Sequence, residues 1–304
     1  MMARTKLAPH IRRCGAVEVH HRLLEANPGF RVRQAQLQAH TERFAITFLT
    51  ARIGVTKIPI VVHVVYNLAS ENVKASQIRS QISVLNRDYR AKNVDRGKVP
   101  APWKGLMDDA RVEFHLATKD PKGKATNGIT RTKTSHATFS TDDSVKAAGT
   151  GGAAPWPADR YLNIWICTLS GGLLGYAQFP GGPAATDGVV ILNTAFGANG
   201  TAASPFNLGR TTTHEVGHWL NLHHIWADTP DCSGTDYVDD TPDQAGPNYG
   251  KPKFPHVTCT NGPNGDMFMN YMDYVDDDSM VMFTTQQVAR MQAALDGARN
   301  KIGT

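Results

Sequence analysis

The run from His214 to His224 constrains this chain more than any other part of its sequence. His214 and His218 are four residues apart, so on a helix both imidazoles project from one face and can bind one cation. Glu215 lies about 100° further round that helix, where it can act on the catalytic water without being a ligand. His224 would be the third ligand if the helix ended near Asn221, because Asn tolerates the left-handed conformation that ends helices. The pattern predicts three histidine ligands and one open position.

Three neutral imidazoles suit Zn²⁺ better than Mg²⁺ or Ca²⁺, so zinc is the predicted metal. Zinc acidifies water and polarises a carbonyl oxygen. Glu215 could then accept the proton of the attacking water and return it to the leaving amine of a cleaved peptide. His223 is the alternative to His224 as third ligand; otherwise we expect it at the surface or beside the ligands.

The basic charge of the chain is concentrated at its start. The net charge of the 304 residues is +5, and residues 1–51 alone carry eight basic and three acidic residues, so residues 52–304 are balanced. Nucleic-acid binding would require a basic face on the folded body, so this distribution predicts no nucleic-acid partner.

No apolar run reaches the roughly 18–20 residues of a membrane helix. Residues 1–15 lack the hydrophobic region of a signal peptide.

The spacing of apolar residues predicts an α/β or α+β chain with one mixed sheet. Strands are predicted at Ile58–Tyr66, Val112–Ala117, Tyr161–Leu169 and Gly188–Leu192, and helices at Val17–Ala26, Ser76–Arg90, Gly209–Leu222 and Thr285–Asn300. We expect the sheet to pack against the helices that contain Ser76 and His214. The segment 226–264 shows almost no periodicity, and a loop of that length usually needs a metal or a disulfide to order it. Within it, Cys232 and Cys259 flank a loop rich in Gly, Pro and Asp, where a disulfide would help.

Together with Asn270-Tyr271-Met272-Asp273-Tyr274, the histidine run resembles that of a metzincin, and specifically of the pappalysin family. Met272 matches the methionine that these enzymes place beneath the metal, and Asn221 stands where most of them have Gly. The resemblance extends from Ile58 to the C terminus and reaches into the basic leader, residues 1–51. It implies an upper subdomain, residues 52–218, with a twisted mixed sheet and two long helices. A lower, irregular subdomain, residues 219–304, would end in a C-terminal helix, with the cleft between them.

The resemblance also implies roles for two groups of residues in the lower subdomain. Tyr274, two residues after the methionine, matches a tyrosine that stabilises the tetrahedral intermediate. Cys232 and Cys259 match a family disulfide.

A calcium loop is implied by the string from Asp236 to Pro242, which is similar to one in the family. The Asp236 carboxylate, the Asp239 carbonyl and the Thr241 oxygens would be ligands, since Ca²⁺ prefers oxygen donors. Asp228 could add a carboxylate. The alternative is a solvated acidic loop that binds no ion.

The leader contains Arg12-Arg13-Cys14-Gly15, which resembles the Arg-x-Cys-Gly motif of latent pappalysins. In those proteins the cysteine thiolate occupies the open position of the zinc, which would exclude the catalytic water. Residues 1–51 are therefore predicted to be an inhibitory pro-segment and residues 52–304 the catalytic domain; an exposed cysteine without function is the alternative. The leader is expected to be cut at Ala51–Arg52, with Thr56–Lys57 and Glu42–Arg43 as alternatives.

The resemblance also predicts the substrate preference. In pappalysins that favour basic residues, an aspartate five residues after the methionine lies at the base of the pocket for the residue that follows the scissile bond. Asp277 is five residues after Met272. A buried carboxylate needs a partner, and a substrate Arg can provide one. Cleavage before Arg and Lys is predicted; in the alternative, the aspartates 276–278 are solvated or bind calcium.

These observations predict a secreted, self-inhibited zinc metalloendopeptidase that acts as a monomer on proteins or peptides. The first alternative is a non-catalytic zinc protein on a protease scaffold, which Glu215 argues against because a structural site would need no glutamate there. The second alternative is a zinc hydrolase that acts on non-peptide substrates. The long loops around the cleft and the cysteine of the leader favour the protease.

Overall fold

The structure, a computed structural model, describes residues 9–47 and 54–303. Two helices form the leader: α1 at Ala16–Ala26, which confirms the predicted helix, and α2 at Pro28–Thr47, which the sequence analysis missed. The buried apolar residues of α2 are Phe30, Leu37 and Phe44, which are seven residues apart and so form one narrow stripe. This stripe faces the body, where α2 packs against the C-terminal helix.

A six-stranded mixed sheet forms the core of the upper part. Its strands are β1 (Thr56–Tyr66), β2 (Val112–Leu116), β3 (Ile129–Lys133), β4 (Leu162–Cys167), β5 (Gly175–Ala177) and β6 (Val189–Leu192). The order is β2-β1-β4-β6-β5, and β3 continues the edge that β2 begins by pairing with the second half of β1. The strand β5 is antiparallel to β6 and lies at the edge, while the other pairs are parallel. The four predicted strands are confirmed; the short strands β3 and β5 were not predicted.

Helices α3 (Ala75–Asp88) and α4 (Arg210–Trp219) pack against this sheet, as the sequence predicts. In α3, the buried residues Ile78 and Leu85 lie one above the other on the face toward the sheet, and Tyr89 follows at the C-cap. The Tyr89 hydroxyl donates to the Thr213 carbonyl at 3.0 Å, so α3 also fixes α4.

The lower part is mostly irregular. It contains the two-residue strands β7 (Tyr249–Gly250) and β8 (Tyr274–Val275), which pair in parallel, and the helix α5 (Thr285–Asp296). Helix α5 begins at a capping box of Thr284 and Gln287 and ends before the predicted Asn300. The Cys232–Cys259 disulfide closes the irregular segment, in agreement with the prediction. Among residues 9–47 and 54–303, no helix combines the length and apolar character needed to cross a membrane.

Candidate active site

Helix α4 and the turn after it bring the three histidines together. The helix ends at Trp219, and Asn221 adopts the predicted left-handed conformation, with φ at 76°. This turn is closed by the Leu222 amide, which donates to the Gly217 carbonyl at 2.9 Å. The chain then reverses and returns His224 to the face of α4 that carries His214 and His218.

The Nε2 atoms of the three histidines converge on one point. They lie 3.2 Å apart for His214 and His218, 3.0 Å for His218 and His224, and 3.2 Å for His214 and His224. Tetrahedral zinc with Zn–N bonds of about 2.0–2.1 Å separates two ligand nitrogens by roughly 3.3 Å, so the spacing fits this ion. His223 instead contacts the rings of Phe179 and Tyr237.

The Nδ1 atoms fix the tautomer of each ligand. His214 Nδ1 donates to the Tyr271 carbonyl at 2.7 Å, and His218 Nδ1 donates to the Leu222 carbonyl at 2.8 Å. His224 Nδ1 donates to Asp228 Oδ1 at 2.6 Å. Each Nε2 therefore keeps its lone pair for a metal.

Asp228 has a different place from the one predicted. We expected its carboxylate on the calcium loop, but it hydrogen-bonds to His224. It follows His224 by four residues, through a turn in which Ala227 and Asp228 both have positive φ. The contact orients the His224 imidazole, which the sequence analysis did not foresee.

Burial controls the protonation of the site. It lowers the pKa of His214 and His218 well below the usual range, which keeps both imidazoles neutral as metal binding requires. Burial also raises the pKa of Glu215 to about 8, against the lowering effects of the Cys14 hydrogen bond and the Arg12 charge. Desolvation is thus the largest influence on the Glu215 carboxyl, which lies beside the three histidines.

Met272 lies directly beneath α4. A Cβ added at Gly217 would lie 2.5 Å from Met272 Sδ, so this glycine allows the helix and the methionine turn to approach. Met272 is fully buried, and the neighbouring Tyr271 supplies the carbonyl that anchors His214. The sequence analysis missed Gly217. A glycine inside the predicted helix, directly before His218, was the signal that another part of the chain approaches the helix there.

Tyr274 lies at the mouth of the site. Its ring centroid is 5.0 Å from that of His224 and 4.6 Å from that of Trp226, which itself stacks on His224 at 4.2 Å. Burial raises the pKa of Tyr274 well above its usual value, so the hydroxyl stays protonated and able to donate. That hydroxyl accepts from the Cys14 amide at 3.2 Å.

The leader crosses the site beside β5. The Leu174 amide donates to the Arg13 carbonyl at 2.9 Å, and the Gly15 amide donates to the Gly175 carbonyl at 2.9 Å, which places this segment parallel to β5. Cys14 is thereby directed at the histidines. Its Sγ and one nitrogen of each of the three metal-site histidines all lie within 4.8 Å of one another, and Sγ is 3.3 Å from Glu215 Oε2. Four donors therefore surround one point.

Arg12 enters a closed pocket next to the metal site. Its Nη2 lies 2.6 Å from Asp277 Oδ1, its Nη1 donates to Thr211 at 3.0 Å and its Nε donates to the Val275 carbonyl at 3.2 Å. The guanidinium lies 4.9 Å from the ring centroid of Phe206. The residue predicted to recognise a substrate arginine thus binds an arginine of the leader.

The predicted calcium loop is folded around a cavity of about 340 Å³. Asp236, Asp239 and Thr241 all line it. Asp236 Oδ2 accepts from the Thr241 hydroxyl at 2.7 Å, and burial raises the pKa of Asp236 to about 7. The three residues predicted as ligands are therefore brought together, with oxygen atoms that suit Ca²⁺.

Known proteins share this arrangement. The family model described as pregnancy-associated plasma protein-A matches residues 150–296. An extracellular metalloprotease of Pyricularia oryzae is 33% identical over 290 residues, which span 92% of this chain and 87% of that relative. The chain belongs to the pappalysin family of metzincins. This pappalysin is therefore a metallopeptidase with a catalytic metal, and it acts on protein or peptide substrates.

Two solved structures extend the likeness to both parts of this pappalysin. Mature mirolysin of Tannerella forsythia in complex with a cleaved peptide is 50% identical, with a TM-score of 0.81, over 83% of this chain and 97% of that one. A mutant of T. forsythia promirolysin is 45% identical, with a TM-score of 0.88, over 96% of this chain and 97% of that one. The match to the precursor includes most of the leader.

Proposed function

We propose that this pappalysin is the latent precursor of a secreted zinc endopeptidase that cleaves before Arg and Lys. The observation that carries the proposal is the path of the leader, which sets Cys14 among the three histidines and Arg12 against Asp277. Cys14 lies where the scissile peptide of a substrate would bind, and Arg12 lies where the side chain after that peptide would bind. The proposed domain boundary is at residues 51 and 52, and secretion rests on relatives that are named extracellular.

The catalytic roles follow from the positions of the side chains. His214, His218 and His224 would hold zinc, which when bound acidifies water and polarises the carbonyl of the scissile peptide. Glu215 would take the proton of the attacking water and pass it to the leaving nitrogen. Tyr274 would donate its hydroxyl to the developing oxyanion once the leader has left.

Latency would depend on the thiol of Cys14. Burial raises the pKa of Cys14 well above its usual value, and the nearby Glu215 carboxylate raises it further. A thiolate at this point would require a compensating cation, which zinc supplies because thiolate is a strong zinc ligand. Bound to zinc in this way, the Cys14 thiolate would exclude the catalytic water.

Substrate preference would depend on Asp277. The pocket that holds Arg12 offers one carboxylate oxygen, a hydroxyl, a backbone carbonyl and an aromatic face to one guanidinium. A substrate Arg could make the same contacts after the leader leaves, and Lys could make the ion pair alone. Arg should therefore be preferred to Lys.

Calcium would stabilise the loop that contains Asp236, Asp239 and Thr241. The supporting observation is the buried Asp236 carboxylate, whose raised pKa shows that it lacks adequate positive compensation. This ion would be structural because it lies outside the metal site.

The chemistry is tested with Glu215→Ala. Wild type and variant are both matured by added trypsin, and zinc content and peptide hydrolysis are measured. The variant should keep one zinc ion and its fold but lose activity by on the order of 10⁴-fold, because the proton acceptor is gone. Substantial residual hydrolysis in a zinc-loaded variant would contradict the mechanism.

Latency is tested with Cys14→Ala, which should mature itself faster than the wild type. N-terminal sequencing then shows where the leader is cut. Ala51–Arg52 lies outside the described residues, whereas the alternatives Glu42–Arg43 and Thr56–Lys57 lie within α2 and β1. The first site remains our proposal because it precedes the first strand, β1. An unchanged maturation rate would count against the thiol.

Specificity is tested by profiling the cleavage sites of the mature enzyme in a digested proteome. Arg should dominate the first position after the cut, with Lys second. A profile dominated by apolar residues there would refute the role of Asp277 and leave the zinc chemistry intact.

A further inference from the structure

A cavity of about 810 Å³ lies at the edge of the sheet where the parallel strands end. Its walls come from the loops that follow β1, β3, β4 and β6. The apolar side chains in those walls are Leu68, Ala137, Leu169 and Leu192, and Pro9 of the leader lies at the cavity as well. Its volume is within the roughly 300–1,000 Å³ of ligand sites.

The leader connects this cavity to the metal site. The strand β5 is antiparallel to β6, and the leader is parallel to β5 at Cys14. The leader is therefore antiparallel to the parallel strands, and the residues before Cys14 lie toward the edge where those strands end. This direction accounts for the position of Pro9 at the cavity.

The loop between β6 and α4 joins the cavity to the Arg12 pocket. Asn193, Thr194 and Thr201 line the cavity near the start of this loop. Near its end, Phe206 contacts the Arg12 guanidinium, and the Leu208 amide donates to Asp277 Oδ2 at 2.8 Å. The same loop therefore contributes residues to both pockets.

We propose that this cavity is a second specificity subsite, which receives a bulky apolar side chain at the third or fourth residue after the scissile bond. The inference rests on the proposed function, because it takes the Arg12 pocket as the pocket for the first residue after that bond. From there the substrate would follow the path of the leader toward Pro9, in the reverse chain direction. Pro9 is three residues from Arg12, and three extended residues span about 10 Å.

The chemistry of the walls selects the side chain. Among the described residues that line the cavity, Glu71 is the charged one, and both of its carboxylate oxygens are already engaged. Oε1 accepts from Thr168 at 2.8 Å, and Oε2 accepts from the amides of Asn67 and Leu68. These three hydrogen bonds hold Glu71 in the wall, and the other described lining residues are uncharged.

Leu68 gives the clearest apolar signal. Its residue is 59% exposed in the wall of the cavity, although it is a large aliphatic group. Leu68 therefore offers an aliphatic side chain to a group that enters the cavity. Ile11 of the leader, which lies between the two pockets along the chain, is 61% exposed and so occupies neither.

The test uses the mature enzyme and peptides with Arg after the scissile bond. The third and fourth positions after the bond carry Leu or Asp in turn, and kcat/KM is measured for each peptide. For the wild type, kcat/KM should be about tenfold or more higher with Leu than with Asp at one of these positions. An apolar pocket typically discriminates between side chains by this amount. In Leu68→Asp the two peptides should differ by less than about threefold. Val94→Asp is the matched control, since Val94 is 93% exposed and does not line the cavity.

A second variant guards against an indirect effect of the new charge. Ala137 is exposed at the cavity, so Ala137→Trp should fill it without disturbing the core and should also remove the Leu preference. The inference is overturned if the wild type shows no Leu preference at either position, or if both variants retain it. In either case the preference for Arg over Ala at the first position would persist, whereas its absence in the wild type would overturn the proposed function itself.

Discussion

Arg12 of the leader and Asp277 of the body form an ion pair that solvent does not reach, with side chains 1% and 0% exposed and 2.6 Å between Nη2 and Oδ1. Burying such a pair costs desolvation, which good geometry must offset. Here the guanidinium also donates to Thr211 and to the Val275 carbonyl. The neighbouring Arg13 is exposed, and its side chain donates a hydrogen bond to the Gly171 carbonyl. The two arginines therefore provide a matched comparison.

Arg12→Ala should weaken the docking of the leader far more than Arg13→Ala. Removing one partner of a buried charge pair costs about 2–5 kcal/mol, because the other charge, here Asp277, is left buried without its ion-pair partner. We expect Arg12→Ala to mature itself at least about tenfold faster than wild type, and Arg13→Ala to stay within about twofold. The measurement is the rate of leader loss on a gel at fixed protein concentration. Equal rates for both variants would show that the pocket does not hold the leader.

Asp277 has a second task, which decides how it must be mutated. Its Oδ2 accepts from the amides of Leu208 and Arg210 at 2.8 and 3.2 Å, at the start of α4. The carboxylate thus holds the N-terminal end of the zinc helix as well as Arg12. A loss of activity in Asp277→Ala could therefore come from the helix rather than from the substrate pocket.

We expect Asp277→Asn and Asp277→Ala to lose the preference for Arg equally in the mature enzyme. Asn can place its carbonyl oxygen where Oδ2 lies and keep both amides paired, whereas Ala leaves both without a partner. The free energy of unfolding should therefore fall by about 1–3 kcal/mol more in Asp277→Ala than in Asp277→Asn. Denaturant unfolding and kcat/KM for Arg and Ala peptides separate the two effects. Equal destabilisation would mean that the helix contact contributes nothing.

The sequence predicted the metal-site histidines well because their geometry is local. His214, Glu215 and His218 share one helix, and the turn to His224 depends on the conformational preference of Asn221, which has φ at 76° as expected. The strands predicted from apolar runs are confirmed for the same reason, since burial on both faces leaves a continuous signal.

Long-range contacts were not predictable in the same way. Helix α2 has large buried apolar residues seven positions apart, with mostly polar residues between them, and its partner α5 lies at the other end of the chain. The helix contacts of Asp277 span 67 and 69 residues. Asp228 was assigned to calcium because it is acidic and precedes the loop, but positive φ at Ala227 and Asp228 turns the carboxylate back to His224.

Asp228 provides a test of the metal site that does not require catalysis. Removing the acceptor of a ligand imidazole typically weakens metal binding about 10–100-fold, because the ring orientation and its basicity are lost. We expect Asp228→Ala to lose zinc to a competing chelator at correspondingly lower chelator concentration. Asp231→Ala is the matched control, since Asp231 is exposed in the same loop and its carboxylate bonds to Ser233. Identical zinc affinity in the two variants would contradict the orienting role of Asp228.

Stabilisation by calcium should depend on pH through Asp236. Burial raises the pKa of this carboxyl from 3.8 to about 7, so without calcium the folded protein favours the protonated form. A raised carboxyl pKa costs stability as pH rises from the unfolded to the folded value. Calcium reverses this cost because it binds the ionised Asp236 carboxylate. Below about pH 7 the carboxyl is mostly protonated, so calcium must displace its proton and binds less strongly.

The gain in unfolding free energy from added calcium should therefore be about 2 kcal/mol larger at about pH 8 than at about pH 5.5. Thermal unfolding of the Glu215→Ala chain, which cannot digest itself under the proposed mechanism, measures this gain at both pH values. Asp236→Asn should abolish the pH dependence along with most of the calcium effect. Asp142→Asn should keep it, since Asp142 lies outside the cavity of the calcium loop, and its hydrogen bonds from Ser144 outweigh desolvation and lower its pKa, so it is ionised at both pH values. A calcium effect that is the same at both pH values in the parent chain would exclude Asp236 as the titrating ligand.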